Sequence, residues 1–173
     1  MSKVYYDKTQ DKPIVKGMYP AHIKDIDSRE AETKFGTATV VELRVSMGLE
    51  NELKKVKVVI DGKEETAEYL FDKEFVSKGI FLYTDTDKSG LNRNYLRFCK
   101  TFAIEGEEEE VEGKMMTALP NLVEDASIIK GEPVIVSLEK EYWKTREGED
   151  RRTWKAMTVV PRQGKKRNFD VPF

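Results

Sequence analysis

The chain has 173 residues, of which 39% are hydrophobic, 36% charged and 10% aromatic. This length suits one domain with a single core, and the aromatic content is higher than a disordered chain would carry. No apolar run approaches the ~20 residues that a membrane span needs, and residues 1–11 lack the basic and then apolar pattern of a signal peptide. We therefore expect a folded cytoplasmic protein with no membrane partner.

Catalytic and metal-binding residue types are scarce. One cysteine, Cys99, and one histidine, His22, cannot form a disulfide or a zinc site of the Cys/His type. No glycine-rich phosphate loop occurs, and no spacing singles out an acid/base pair of carboxylates. The sequence predicts no catalytic residue, no metal, no cofactor and no enzymatic activity, with Cys99 in packing and His22 in a strand.

Charge is unevenly distributed. The formal net charge of −2 argues against a simple polycationic nucleic-acid binder. Residues 105–112 (EGEEEEVE) hold six acids, whereas residues 162–167 (RQGKKR) hold four basic residues. Both segments are predicted to be flexible and solvated.

Alternating apolar residues predict strands at 17–27 and 37–47, joined by a polar hairpin loop at 28–36. The alternation slips at Ile26, which indicates a bulge or bend. In the second strand the predicted core-facing residues are Thr39, Val41, Leu43, Val45 and Met47.

Three further strands are predicted before the spacing of the apolar residues changes from alternation to a helical pattern. Residues 55–60 and 66–71 are predicted to pair across Asp61-Gly62-Lys63, since Asp-Gly favours a tight turn. Residues 80–84 form a short apolar run of strand type.

A helix is predicted over 89–104, with Ser89 as its N-cap. Its apolar residues recur at intervals of three and four, namely Leu91, Tyr95, Phe98, Cys99 and Phe102. Arg93, Arg97 and Lys100 form a basic stripe, which is more often a solvated face than a phosphate site. Residues 134–143 and 152–160 are predicted to form a long terminal hairpin.

Five or more strands in hairpin order with one helix favour a mainly β protein. We predict a small five-stranded barrel like the oligonucleotide/oligosaccharide-binding (OB) fold, with one amphipathic helix and an extra β-hairpin. The predicted parts are an N-terminal arm at 1–13, the domain at 14–161 and a flexible tail at 162–173. A β-sandwich is the alternative.

Several short motifs resemble phage-encoded single-stranded DNA-binding proteins of the OB fold. They are GMYPAHI at 17–23, TKFG at 33–36, LRFCKTF at 96–102, KGEPV at 130–134 and the terminal hairpin. The resemblance implies a role in DNA replication, recombination or repair.

The end of the given sequence resembles the terminal Asp-Ile-Pro-Phe peptide of bacterial single-stranded DNA-binding proteins, which recruits replication and repair enzymes. The resemblance assigns partner binding to Phe169, Asp170, Val171, Pro172 and Phe173. The peptide departs from that family because it has one acid and follows Lys165-Lys166-Arg167 rather than an acidic run.

Single-strand binders combine aromatic rings for stacking with cations for phosphates. The terminal hairpin supplies Tyr142, Trp143, Lys144, Arg146, Arg151, Arg152, Trp154 and Lys155, and the first hairpin supplies Arg29, Lys34 and Phe35. Two structural alternatives remain open. In the first, Trp143 and Trp154 are a cross-strand pair sealing the barrel, and in the second Phe35 folds back onto the barrel.

The sequence thus predicts a protein that binds and protects single-stranded DNA with little sequence specificity, and that recruits partners through its tip. The competing hypothesis is a non-enzymatic protein-interaction or virion structural module on a small barrel, with the aromatics in its core. The oligomeric state is left open.

Overall fold

The computed structural model describes residues 2–5, 7, 16–47, 55–60, 63–68 and 73–162, and only the backbone at 55–60, 64–68 and 152. Most of the predicted arm, the Asp61-Gly62 turn and the whole tip at 169–173 lie outside the described residues.

The described chain is mainly β, as the alternation predicts. Its strands are β1 (Gly17–Thr33), β2 (Gly36–Met47), β3 (Lys55–Ile60), β4 (Lys63–Glu68), β5 (Glu74–Val76), β6 (Ile80–Leu82), β7 (Glu107–Val111), β8 (Lys114–Ala118), β9 (Pro133–Lys144) and β10 (Asp150–Pro161). One α-helix, α1 (Arg93–Thr101), and two 3₁₀ helices, Thr86–Leu91 and Ala126–Ile128, complete the described elements. None of the helices in these ranges is long and apolar enough to cross a membrane.

Eight strands form one antiparallel sheet. Its main path is β10-β9-β1-β2-β5, to which β6 adds by pairing with β2, and the β3–β4 hairpin adds through β1. β7 and β8 form a separate two-stranded sheet. The two ends of the main path meet at a single parallel bridge between Ser77 and Ala156. Apart from this one bridge, no ladder joins the two ends among the described strands. A closed barrel is therefore not found there.

β1 changes partner along its length. Its first residues, Gly17–His22, pair with β9, and its register with β2 shifts between Ile23 and Asp25. This shift confirms the predicted bulge. At the bend, the carbonyl of Ile23 accepts a 2.7 Å hydrogen bond from the amide of Gly131, and the Ile23 amide donates to Glu132 at 3.0 Å.

The core lies between β2, β9 and α1. The predicted core face of β2 is confirmed for Val41, Leu43, Val45 and Met47, all of which are buried. From the other strands and the helix the core receives Tyr19, Ile23, Val134, Val136, Leu138, Tyr95 and Cys99. The amphipathic pattern around Tyr95 and Cys99 therefore identified the covering helix correctly.

Ser77 connects β2 to the segment between β5 and β6. The Ser77 amide donates to the Leu43 carbonyl at 2.8 Å, and the Leu43 amide donates to the Ser77 hydroxyl, also at 2.8 Å. Nearby, a Cβ on Gly79 would lie 2.4 Å from Cγ1 of Val40, which is buried. The backbone therefore passes too close to β2 at residue 79 for a side chain to fit without displacement.

The predicted loop at 28–36 is wrong, because β1 continues to Thr33 and only Lys34 and Phe35 form the turn. The Thr33 hydroxyl donates to the Gly36 carbonyl at 2.8 Å and accepts from the Phe35 amide at 3.1 Å. These bonds, together with Gly36 at a φ of 108°, stabilise a two-residue turn. The polar residues at 28–33 therefore stay paired with β2.

Two other local predictions are also wrong. The acidic segment is not an unpaired flexible loop, since Glu107–Glu110 pair with β8 while their side chains stay in solvent. Ser89 is not the helix cap, because it lies in the 3₁₀ helix and α1 begins at Arg93. The side chain of Asn92, between the two helices, instead binds the backbone of Tyr83 through both its oxygen and its nitrogen, at 2.8 and 2.9 Å.

Replacing Ser77 with alanine leaves the buried Leu43 amide without its acceptor. We expect the free energy of unfolding to fall by about 1–3 kcal/mol, measured by denaturant titration. Ser127→Ala is the control, because its hydroxyl and its partner Asp125 are exposed, and its effect should be within about 0.5 kcal/mol. Equal effects in the two variants would contradict the role of Ser77.

The buried pair Tyr95 and Cys99 predicts a loss of stability at alkaline pH. Burial raises the pKa of Cys99 from 9.0 to about 11 and that of Tyr95 from 10.0 to about 12. Because folding favours the protonated forms, unfolding releases protons above pH 9, and stability falls as pH rises from there towards 12.

Cys99→Ala removes one of these groups. Between pH 9 and 11 the unfolding free energy of the variant should fall less steeply with pH than that of the native chain. The two slopes should differ by at most about 1.4 kcal/mol per pH unit. The measurement is denaturant unfolding at several pH values. Parallel pH profiles would show that the Cys99 thiol does not contribute.

Candidate nucleic-acid interface

The register of the terminal hairpin decides which of its side chains lie together. Directly opposed residues of an antiparallel pair share one face, and neighbours along a strand alternate. Leu138 opposes Ala156, and both are buried in the core. Trp154 opposes Lys140 on this inner face, whereas Trp143 opposes Arg151 on the outer face.

The two tryptophans are thus not a cross-strand pair, and that structural alternative is wrong. Trp154 packs against the core, and the ammonium of Lys140 lies 5.2 Å from the centre of its ring. Trp143 is 44% exposed. Of the two, only Trp143 presents a large ring surface to solvent on the outer face.

The other predicted residues of this hairpin lie around its turn. Tyr142 is 68% exposed and lies beyond the end of the core, and Arg152 opposes it in the ladder. Arg146 is exposed in the turn. Tyr142, Trp143, Lys144, Asp150 and Arg151 line an open pocket of about 600 Å³.

Carboxylates accompany the basic side chains. Arg151 pairs with Glu149 at 2.5 Å, Lys155 with Glu141 at 3.4 Å and Lys144 with Asp150 at 3.8 Å. Most of these groups are well exposed, so each pair contributes little to stability, about 0–1 kcal/mol. A competing anion can therefore displace the carboxylates at small cost.

The first hairpin places Arg29, Lys34 and Phe35 at the opposite end of β1. Phe35 is 48% exposed in the turn, with the Lys34 ammonium 5.0 Å from its ring centre. About half of the Phe35 surface therefore faces solvent. Arg29 pairs with Glu42 of β2 at 3.0 Å.

Phe81 is an outward aromatic residue that sequence reasoning missed. Val40 opposes Arg29 on one side and Phe81 on the other, so the three residues form one row across β1, β2 and β6. Because Val41, Leu43 and Val45 face the core, this row lies on the outer face. Phe81 is 42% exposed. Its alternation with Ile80 and Leu82 was the available signal.

A second pocket lies where β5 meets β10, beside β2. Glu42 of β2, Val76 of β5 and Lys155 of β10 are among the residues that line it, Trp154 also contributes to its wall, and its volume is about 470 Å³. On β2 the neighbouring Arg44 donates to Asp27 at 2.8 Å, and this hydrogen bond raises the pKa of the guanidinium.

We call this continuous outward surface the outer strip. It runs from the last hairpin to the first and contains Trp143, Arg151, Lys155, Arg44, Arg29 and Phe81. It brings together part of both predicted clusters, but it leaves Trp154 on the inner face.

No protein-family model matches the chain, and no curated protein matches it. Within the described ranges, no group of three or more His, Cys, Asp and Glu side chains is placed to hold a metal ion.

The separation of the tryptophans predicts different costs of substitution. Trp154→Ala should reduce the free energy of unfolding by about 2–4 kcal/mol, because it leaves a cavity beside the core. Trp143→Ala should cost less than about 1 kcal/mol, since almost half of its surface is already in water. Denaturant unfolding of both variants is the measurement, and equal costs would contradict the assigned faces.

Proposed function

We propose that the chain binds single-stranded DNA along the outer strip, with little sequence preference. The observation that carries this proposal is the arrangement of Trp143 and Phe81, two exposed rings at opposite ends of one face with basic side chains between them. Bases stack on such rings regardless of their identity, while Lys and Arg bind the phosphates.

The strand connections support an OB-like arrangement. β1 pairs with both β2 and β9, β9 pairs with β10, and β2 pairs with β5. The bridge from Ser77 to Ala156 is parallel, which brings β10 beside the end of β5. In OB folds the ligand lies on the strand face framed by the first and last hairpins, and in the proposed arrangement the outer strip would be that face.

The ion pairs make the proposal compatible with a net charge of −2. The acidic segment at 105–112 contributes −6, so the rest of the chain carries +4. On the strip, a phosphate can replace Glu42 beside Arg29 or Glu141 beside Lys155. Because these cations are already partly neutralised, binding should depend on salt less steeply than their number alone would give.

The proposed binding also suggests a biological role. A coating protein of this kind would protect single strands during replication, recombination or repair, in the cytoplasm of a bacterial host if it is phage-encoded. It would need no cofactor and no catalytic residue. Residues 169–173 would recruit replication or repair proteins.

Titration with oligothymidine tests DNA binding directly. Single-stranded DNA should quench tryptophan fluorescence, through Trp143, and bind more tightly than duplex DNA at the same salt. Phe81→Ala should weaken binding by about 1–3 kcal/mol for one lost stack without changing the unfolding midpoint.

Met115→Ala is the matched control, because Met115 is an exposed apolar residue on β8, whose two-stranded sheet is separate from the sheet that carries the strip, and it should leave DNA affinity unchanged. Absence of binding at low salt, or equal affinity for duplex and single strand, would favour the protein-interaction or virion structural hypothesis instead.

A further inference from the structure

A pocket outside the outer strip has no role in the proposed DNA binding. It lies between α1 and β8, has a volume of about 510 Å³, and is lined by Leu82, Arg93, Leu96, Met115, Met116 and Pro120 among others. This size falls in the range of peptide and small-molecule sites. Met115 is 67% exposed, and methionine side chains adapt readily to apolar partners.

Carboxylates stand beside the apolar side chains of this pocket. In the β7–β8 ladder, Glu110 opposes Met115 and Glu109 opposes Met116. Both glutamates are exposed. A ligand that fits here needs an apolar group for the pocket and positive charge for the neighbouring strand.

The chain itself contains such a segment. Lys165-Lys166-Arg167 is separated by one residue from Phe169-Asp170-Val171-Pro172-Phe173. The basic triplet complements Glu107–Glu110, while the two phenylalanines supply apolar rings. Asp170 complements Arg93 at the pocket wall.

The attachment point makes the contact reachable. The Arg162 amide donates to the Pro133 carbonyl at 3.0 Å, so residues 163–173 are attached beside the start of β9. Eleven residues span at most about 40 Å, whereas a domain of this length has a radius of gyration of about 15 Å.

We propose that residues 165–173 dock intramolecularly on this surface, with Phe173 in the pocket and the basic triplet on β7. The contact masks the tip until a partner with higher affinity displaces it. This inference is independent of DNA binding, and it gives the acidic hairpin a function that the outer strip does not use.

The test uses the full chain with Phe173→p-benzoylphenylalanine, a photo-crosslinker that reacts well with methionine. Irradiation followed by peptide mass spectrometry should map crosslinks to Met115, Met116 or Leu96. Tyr142→p-benzoylphenylalanine is the control, since this exposed position on the last hairpin should give no crosslink to β8. Crosslinks from position 173 that fall elsewhere, or nowhere, would overturn the proposal.

Isotope labelling identifies the source of the tail. In an equal mixture of ¹⁵N-labelled and unlabelled chains, intramolecular docking gives crosslinked peptides with both partners labelled or both unlabelled. Mixed pairs as the main product would show docking onto a second copy, and would overturn the intramolecular assignment.

Charge reversal tests the recognition. Glu109→Lys with Glu110→Lys should lower the yield about three- to tenfold, as should Lys165→Glu with Lys166→Glu, because exposed ion pairs are individually weak. Combining the four substitutions should restore it. An unchanged yield in each pair of reversals would refute charge complementarity, and the oligothymidine titration measures DNA binding separately.

Discussion

The bend in β1 is the constraint on which the rest of the fold depends. Before the bulge at Ile23 and Asp25 the strand pairs with β9 and, from Ala21, also with β2, and beyond it the pairing with β2 continues to Thr33. Ile23 also forms two backbone hydrogen bonds with residues 131 and 132, which fixes where β9 begins. A single strand therefore joins both hairpins and sets their relative directions.

The directions follow from the registers. β9 starts opposite His22, passes Gly17 and extends beyond it to the turn of the last hairpin. β1 runs in the opposite direction, to the turn at Lys34 and Phe35 that leads into β2. The two hairpin turns thus lie at opposite ends of the sheet. The outer strip is the face between them, and its length is a consequence of the long ladders.

Alternation in sequence predicted the β1 bulge, the core side of β2 and the terminal hairpin, because burial imposes period 2 on a half-covered strand. It did not predict how far β1 extends, since Thr33 and Gly36 stabilise the turn through bonds with no apolar signature. The separation of Trp143 and Trp154 depended on the cross-strand register, which composition alone does not specify. Phe81 was missed because the alternation of a three-residue strand is too short to show which of its faces lies outward.

Uneven charge has a physical consequence that the net charge conceals. The acids of β7 lie on a separate two-stranded sheet, whereas those of the outer strip are paired one by one with cations, as Glu42 is with Arg29. The paired acids can be displaced by phosphates at small cost. The glutamates of β7, for which no ion pair is found within the described residues, attract cations instead, within a screening length of about 8–10 Å. A glutamate of the outer strip can therefore be exchanged for a phosphate, whereas a glutamate of β7 attracts cations. The sheet that carries the residue decides which of the two it does.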